Sequence, residues 1–144
     1  MPMIDVYAPA GTFPHPDVLA RTLARTLMDV EGVPDIELFR TNTAAFVHEL
    51  PPGAISNVVG DHRHVRVQVL TNSGALDRAK QLAAVERLTA VIADAADDPS
   101  LAARTWVLLT EAPDGGWGIG GHANTNDELI ALARAEIAAS SGTG

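Results

Sequence analysis

The strongest constraint on the fold is an internal repeat, because a chain built from two copies of one pattern folds as two copies of one supersecondary unit. Residues Ile4 to Ala8 alternate with polar or small neighbours and run into Gly11, while Val65, Val67 and Val69 alternate with Arg66 and Gln68 ahead of Gly74. Period-two alternation closed by a glycine reads as a short strand and a turn. A helical period follows in each half: Leu19, Leu23 and Leu27 with Val18 and Val30, then Leu82, Val85, Thr89 and Ile92 with Leu88. Pro16 suits a helix's first turn, Gly32 and Pro34 stop the first helix, and Asp98-Pro99 stops the second. Arg40-Thr41 then precedes a strand reaching Glu49-Leu50-Pro51-Pro52-Gly53, and Arg104-Thr105 precedes one reaching Glu111-Ala112-Pro113-Asp114-Gly115.

The repeat predicts an α/β fold in one domain, 2–121, made of two tandem βαβ units at about 2–53 and 63–121 joined by residues 51–62. Right-handed crossovers make the strands of each unit parallel. The expected product is a four-stranded mixed sheet with two helices on one face. A short glycine-rich hairpin (116–121) and a C-terminal helical extension (122–139) follow, and a disordered tail is expected over 140–144. Thr125 or Asn126 can cap the last helix, with Leu129, Ile130, Leu132 and Ile137 as its apolar stripe. The bare face of such a sheet needs burial, which three subunits can provide.

Composition narrows the function. The 144 residues include no cysteine, which removes disulfides, thiolate metal sites and thiol nucleophiles together. A net charge of -8 argues against nucleic acid as a partner, since phosphate backbones attract a basic face. No run approaches the roughly 18 to 20 apolar residues that cross a bilayer, and the N-terminus has no basic segment ahead of an apolar one. The expectation is a soluble, cytoplasmic protein with no membrane partner.

Pro2 is the candidate for chemistry. Loss of Met1 before a small residue leaves a proline secondary amine, and burial beside apolar groups disfavours the charged form of such an amine. A rigid neutral amine at the start of a strand suits proton abstraction next to a carbonyl. His62, Arg63, His64 and Arg66 form a local basic cluster, but two imidazoles without further ligands make no convincing metal site, and solvation or a subunit contact accounts for them. The run Gly115 to Gly121 lacks the lysine-serine/threonine ending of a phosphate loop and reads as a hairpin. Asp5 and Tyr7 differ in parity from Pro2 and fall on the opposite face of the strand.

Met1-Pro2-Met3-Ile4 opening a doubled βαβ that ends in Gly116-Trp117-Gly118-Ile119-Gly120-Gly121 resembles the tautomerase superfamily. The stretch Asp77 to Ile92, then Val107-Leu108-Leu109-Thr110-Glu111, then the hairpin, is similar to the C-terminal part of 4-oxalocrotonate tautomerase. The resemblance spans roughly residues 2 to 121 and implies a fused member forming a homotrimer, with Pro2 as the catalytic residue and Trp117 as the pocket aromatic. It also aligns Trp106 where 4-oxalocrotonate tautomerase has its second arginine. Thr12 and Ala75 stand where that enzyme has its first. The arginine pair of the cis-3-chloroacrylic acid dehalogenase branch falls on Asn72 and Ala75, and that branch's tyrosine falls on Leu108.

Candidate substrate-binding residues are therefore Arg40, Asn72, Trp106 and Trp117. Arg40 and Arg104 hold matching places in the repeat, where each either reaches the pocket mouth to bind a carboxylate or lies solvated at a strand end. The two tryptophans either wall the pocket or simply fill the core. The resemblance implies an isomerase without metal or other cofactor, in which Pro2 moves a proton in a small enol or 2-keto acid. Hydration, dehalogenation or decarboxylation of a small unsaturated acid on the same proline is an alternative, and a catalytically weak trimeric binding protein is another.

Overall fold

Alternation along the first strand sends Ile4, Val6 and Ala8 into the interior and leaves Met3, Asp5 and Tyr7 on the other side. The same parity in the third strand buries Val65, Val67 and Val69. The computed structural model describes residues 1–142. Its main sheet contains β1 (Met3–Pro9), β2 (Ala44–Leu50), β3 (Val65–Asn72) and β4 (Thr105–Ala112) in the order β2-β1-β3-β4. The pairs β1–β2 and β3–β4 are parallel, and β1–β3 is antiparallel, so two βαβ units join through their first strands into the expected mixed sheet.

Helices α1 (Pro16–Glu31) and α3 (Arg78–Ala95) cross over one face of the sheet. Leu19, Leu23 and Leu27 of α1 meet Leu88 and Ile92 of α3 over the buried valines, and each side chain so buried contributes about 1.5–3 kcal/mol. Gly32 ends α1 at φ 72°, its N–H donating to Met28 O and Asp29 O. A left-handed residue is required there, and glycine adopts it without a Cβ penalty.

Three sequence expectations need correction. The buried row of α3 is Ala84, Leu88 and Ile92, while Leu82 and Val85 are exposed, because apolar residues surround this helix and the small Ala84 is the one that fits beneath. In α4 (Asn126–Ser141) the buried residues are Leu129 and Ala133, with Ile130, Leu132 and Ile137 exposed. That helix runs on through Ser140 and Ser141, where a tail was expected; residues 143–144 lie outside the described residues. Thr125 is its cap, accepting from Glu128 N while the Glu128 carboxylate accepts from Thr125 N.

The repeat also breaks at its Arg-Thr pairs. Arg40-Thr41 ends a short helix, α2 (Glu37–Thr41), whereas Arg104 ends a 3-10 turn (Pro99–Arg104) and Thr105 opens β4. Phe39 within α2 is buried in a second, smaller core with Met1, Met28, Trp117, Leu129 and Ala133. That core is completed by the hairpin β5 (Trp117–Ile119) and β6 (His122–Asn124) and by α4. The sheet face away from α1 and α3 carries Phe46 (50% exposed), Trp106 (42%), Leu108 (45%) and Leu70 (38%), an apolar surface unusual for a lone protomer.

Candidate active site

The parallel and antiparallel pairings bring four element ends together: the start of β1, the start of β2, and the ends of β3 and β4. A cavity of about 400 Å³ opens there, lined by Met1, Glu31, Phe39, Asn72 and the α4 residues Leu129, Ile130, Ala133, Arg134 and Ile137. Its walls are thus largely aliphatic and aromatic, with few polar groups, the usual make-up of a small-molecule site.

The chain's N-terminus lies inside it. The Met1 amino group donates to Glu31 Oε2 at 3.3 Å and to Asn72 Oδ1 at 3.4 Å. Both members of the ion pair are almost wholly buried, at 1% and 2% side-chain exposure. Burial pushes the amine below its ordinary 8.0, outweighing the opposing pull of the Glu31 charge. Burial likewise pushes the Glu31 carboxyl above its ordinary 4.5, against the pull of the amine and of Lys80. Lys80 Nζ donates to the backbone carbonyl of Glu31 at 2.8 Å and so ties the end of α1 to α3.

Pro2 is fully buried next to this amine, and with Met1 attached its nitrogen is an amide. Asn72, the last residue of β3, reaches the same point. Trp117 packs in the small core beside Met1, Phe39 and Leu129, its carbonyl accepting from Asn124 Nδ2 at 3.1 Å. Three of the five expected residues, Pro2, Asn72 and Trp117, therefore converge.

The other two stand apart within the protomer. Arg40 Nη1 donates to Asp35 O at 2.7 Å and pairs with the Asp35 carboxylate, facing a groove with Arg21 and Arg25. Trp106 sits at the opposite end of β4, paired with Arg66 and stacked on His64 with ring centroids 4.4 Å apart. Arg104 lies at that same far end, bound to Asp98 and to Arg63 O. Among the described residues no group of three or more His, Asp or Glu converges as a metal site.

Sequence reasoning missed Glu31 and Arg134. Glu31 had a signal: it continues the buried row Leu19, Leu23, Leu27 by one more step of four, a carboxylate in line with leucines. Arg134 had none, because the last helix falls outside the repeat. It stands exposed at the cavity rim, its guanidinium in no ion pair or hydrogen bond among the described residues.

No family model matches the sequence, and no curated protein matches it either. Solved structures do match in fold. A member of the cis-3-chloroacrylic acid dehalogenase family is similar at TM-score 0.72 and 20% identity, over 91% of this chain and 90% of that one. A fused 4-OT, solved as an asymmetric trimer, gives 0.70 and 24% over 88% and 98%. Malonate semialdehyde decarboxylase gives 0.66 and 17% over 90% and 98%. These neighbours are enzymes of the tautomerase superfamily, and at such identities the likeness establishes architecture. The chain has the fold of the tautomerase superfamily, two βαβ units closed into one four-stranded mixed sheet.

Proposed function

We propose that the protein is a small-molecule enzyme of tautomerase type, in which Pro2, freed by loss of Met1, moves a proton within an enol or 2-keto acid. The observation that carries this reading is the chain's N-terminal amine, held buried between Glu31 and Asn72 at the wall of an apolar cavity. Burial pushes the Met1 amine below its ordinary value, and the same desolvation acts in the same direction on the Pro2 amine left by loss of Met1. Arg134 at the rim offers a bidentate grip on the substrate's carboxylate, and Trp117 packs in the small core behind the cavity residues Met1, Phe39 and Leu129.

The neutral amine takes the enol proton or the proton of the carbon beside the carbonyl, negative charge develops on oxygen, and prolinium returns the proton at another carbon. No metal or cofactor enters this scheme. Three copies meeting through the apolar sheet face form the proposed trimer, and Trp106 and Arg40 then serve the site only across a subunit boundary. The same proline acting as an acid supports hydration, dehalogenation or decarboxylation, chemistry seen among the structural neighbours. A second reading, a binding protein without catalysis, is favoured by the absence of the family's arginines, since Thr12, Ala75 and Trp106 stand at their places.

Ketonisation of phenylenolpyruvate, followed by absorbance, separates these readings. Mass-verified Met1-free protein is expected to accelerate it strongly and Pro2→Ala to abolish the acceleration. Equal rates for the two proteins would discard the enzyme reading and leave the binding protein.

A further inference from the structure

Two buried polar atoms of the cavity have no hydrogen-bond partner among the described residues: Glu31 Oε1 and Asn72 Nδ2. Buried orphans of this kind are rare in folded proteins, and a catalytic or binding role is one of the few reasons they persist. These two belong together, since the other oxygens of the same side chains both contact the Met1 nitrogen, at 3.3 and 3.4 Å. Neither is a surface accident; Glu31 is 5% exposed. One is a carboxyl oxygen, able to accept a proton or, when protonated, to give one. The other is a carboxamide N–H, able only to donate.

A single ligand group satisfies both: an oxygen on sp² carbon that is a carbonyl in one tautomer and a hydroxyl in the other. We infer that Glu31 and Asn72 handle the substrate's carbonyl oxygen, Glu31 passing a proton to and from it while Asn72 Nδ2 donates to it throughout. The inference rests on the proposed role of Pro2 and divides the labour with it, carbon to the proline and oxygen to the carboxyl.

The step balances without any co-reactant. Toward the enol, the Pro2 nitrogen takes the α-proton, the C–H pair becomes the C=C bond, and the carbonyl π pair takes the proton of the Glu31 carboxyl. Prolinium and carboxylate remain, and a proton passing between them through solvent resets the site. Toward the ketone, the Glu31 carboxylate takes the hydroxyl proton and prolinium protonates carbon. A carboxyl in this role must be available in both forms near neutral pH, which burial promotes. The charged groups facing it are the terminal amine, Lys80 from α3 and Arg134 across the cavity from α4. Asn72 meanwhile faces the charge that grows on oxygen, as a preorganised donor should.

The test compares Met1-free wild type with Glu31→Gln, Asn72→Ala and Pro2→Ala in phenylenolpyruvate ketonisation across pH. Glu31→Gln keeps the shape and is expected to lower kcat by about 10²-fold or more, with KM little changed. It also removes one limb of the pH–rate profile and leaves the limb of the terminal amine. Asn72→Ala is expected to lower kcat by about 10²-fold with both limbs intact, and it carries the test should Glu31→Gln not fold. If Pro2→Ala abolishes activity but both other variants keep the wild-type rate and profile, this inference is overturned and the role of Pro2 stands. If Pro2→Ala leaves the rate unchanged, both fall together.

Discussion

Met1 is buried in the small core at the cavity wall, and its removal has a calculable cost. Its side chain is 3% exposed and packs with Met28, Phe39, Trp117, Leu129 and Ala133. Full burial of a methionine side chain is worth about 1.5–3 kcal/mol, so the Met1-bearing form should be the more stable by about 2 kcal/mol. For a domain of this length 1 kcal/mol moves Tm by about 3–4 °C, which puts the expected difference near 6–8 °C. The assay is calorimetric unfolding of one preparation before and after treatment with methionine aminopeptidase, each state verified by mass. The cavity carries a second expectation: a small enol or keto acid should raise Tm more in the Met1-free form, where the Met1 side chain no longer lines it. Equal Tm values, or a more stable Met1-free protein, would refute the placement of Met1 in the small core.

Other perturbations address the cavity wall and the open face. Thr125→Ala removes the cap of α4 and is expected to cost about 1 kcal/mol, with faster amide exchange concentrated in that helix; unchanged exchange would mean the cap is not what holds it. Glu128 is held below its ordinary 4.5 chiefly by the Thr125 N–H, then by His122, so its contribution is present above that value and fades as pH falls through the folded value. Its titration by NMR should accordingly fall below 4.5 and move upward in Thr125→Pro, which has no N–H but leaves His122 in place. Phe46→Asp combined with Leu108→Asp places charge on the exposed sheet face and is expected to convert a trimer to monomers in sedimentation; an unaffected oligomer would mean the subunits meet elsewhere.

The repeat made the architecture legible because strand parity and helix stops are local properties. Ile4, Val6 and Ala8 repeat every second residue, and Gly32 caps where only a left-handed residue continues. What depended on packing between elements was less legible. In α3 the apolar residues encircle the helix, so periodicity alone did not choose between Leu82–Val85 and Ala84–Leu88. Arg40 and Arg104 match in sequence, yet the first lies in a helix and the second in a 3-10 turn, and each pairs with an aspartate away from the cavity. For the candidate site, Pro2, Asn72 and Trp117 were named from the N-terminal proline and the family resemblance, and the structure places them near Met1. Arg134 was not, since the last helix has no counterpart in the repeat, and its place at the rim follows from Glu136, which accepts from Glu37 N and Leu38 N and latches α4 to α2.

The central claim is that this cavity turns a terminal proline into a base. Its most direct test is an NMR titration of the Pro2 nitrogen in ¹⁵N-proline-labelled, Met1-free protein, referenced to an unstructured peptide of the same first residues. The account expects the folded-state pKa to lie below that of the peptide, as burial lowers the amine now occupying the cavity. A value equal to or above the peptide's would leave the proline charged at neutral pH and contradict the account.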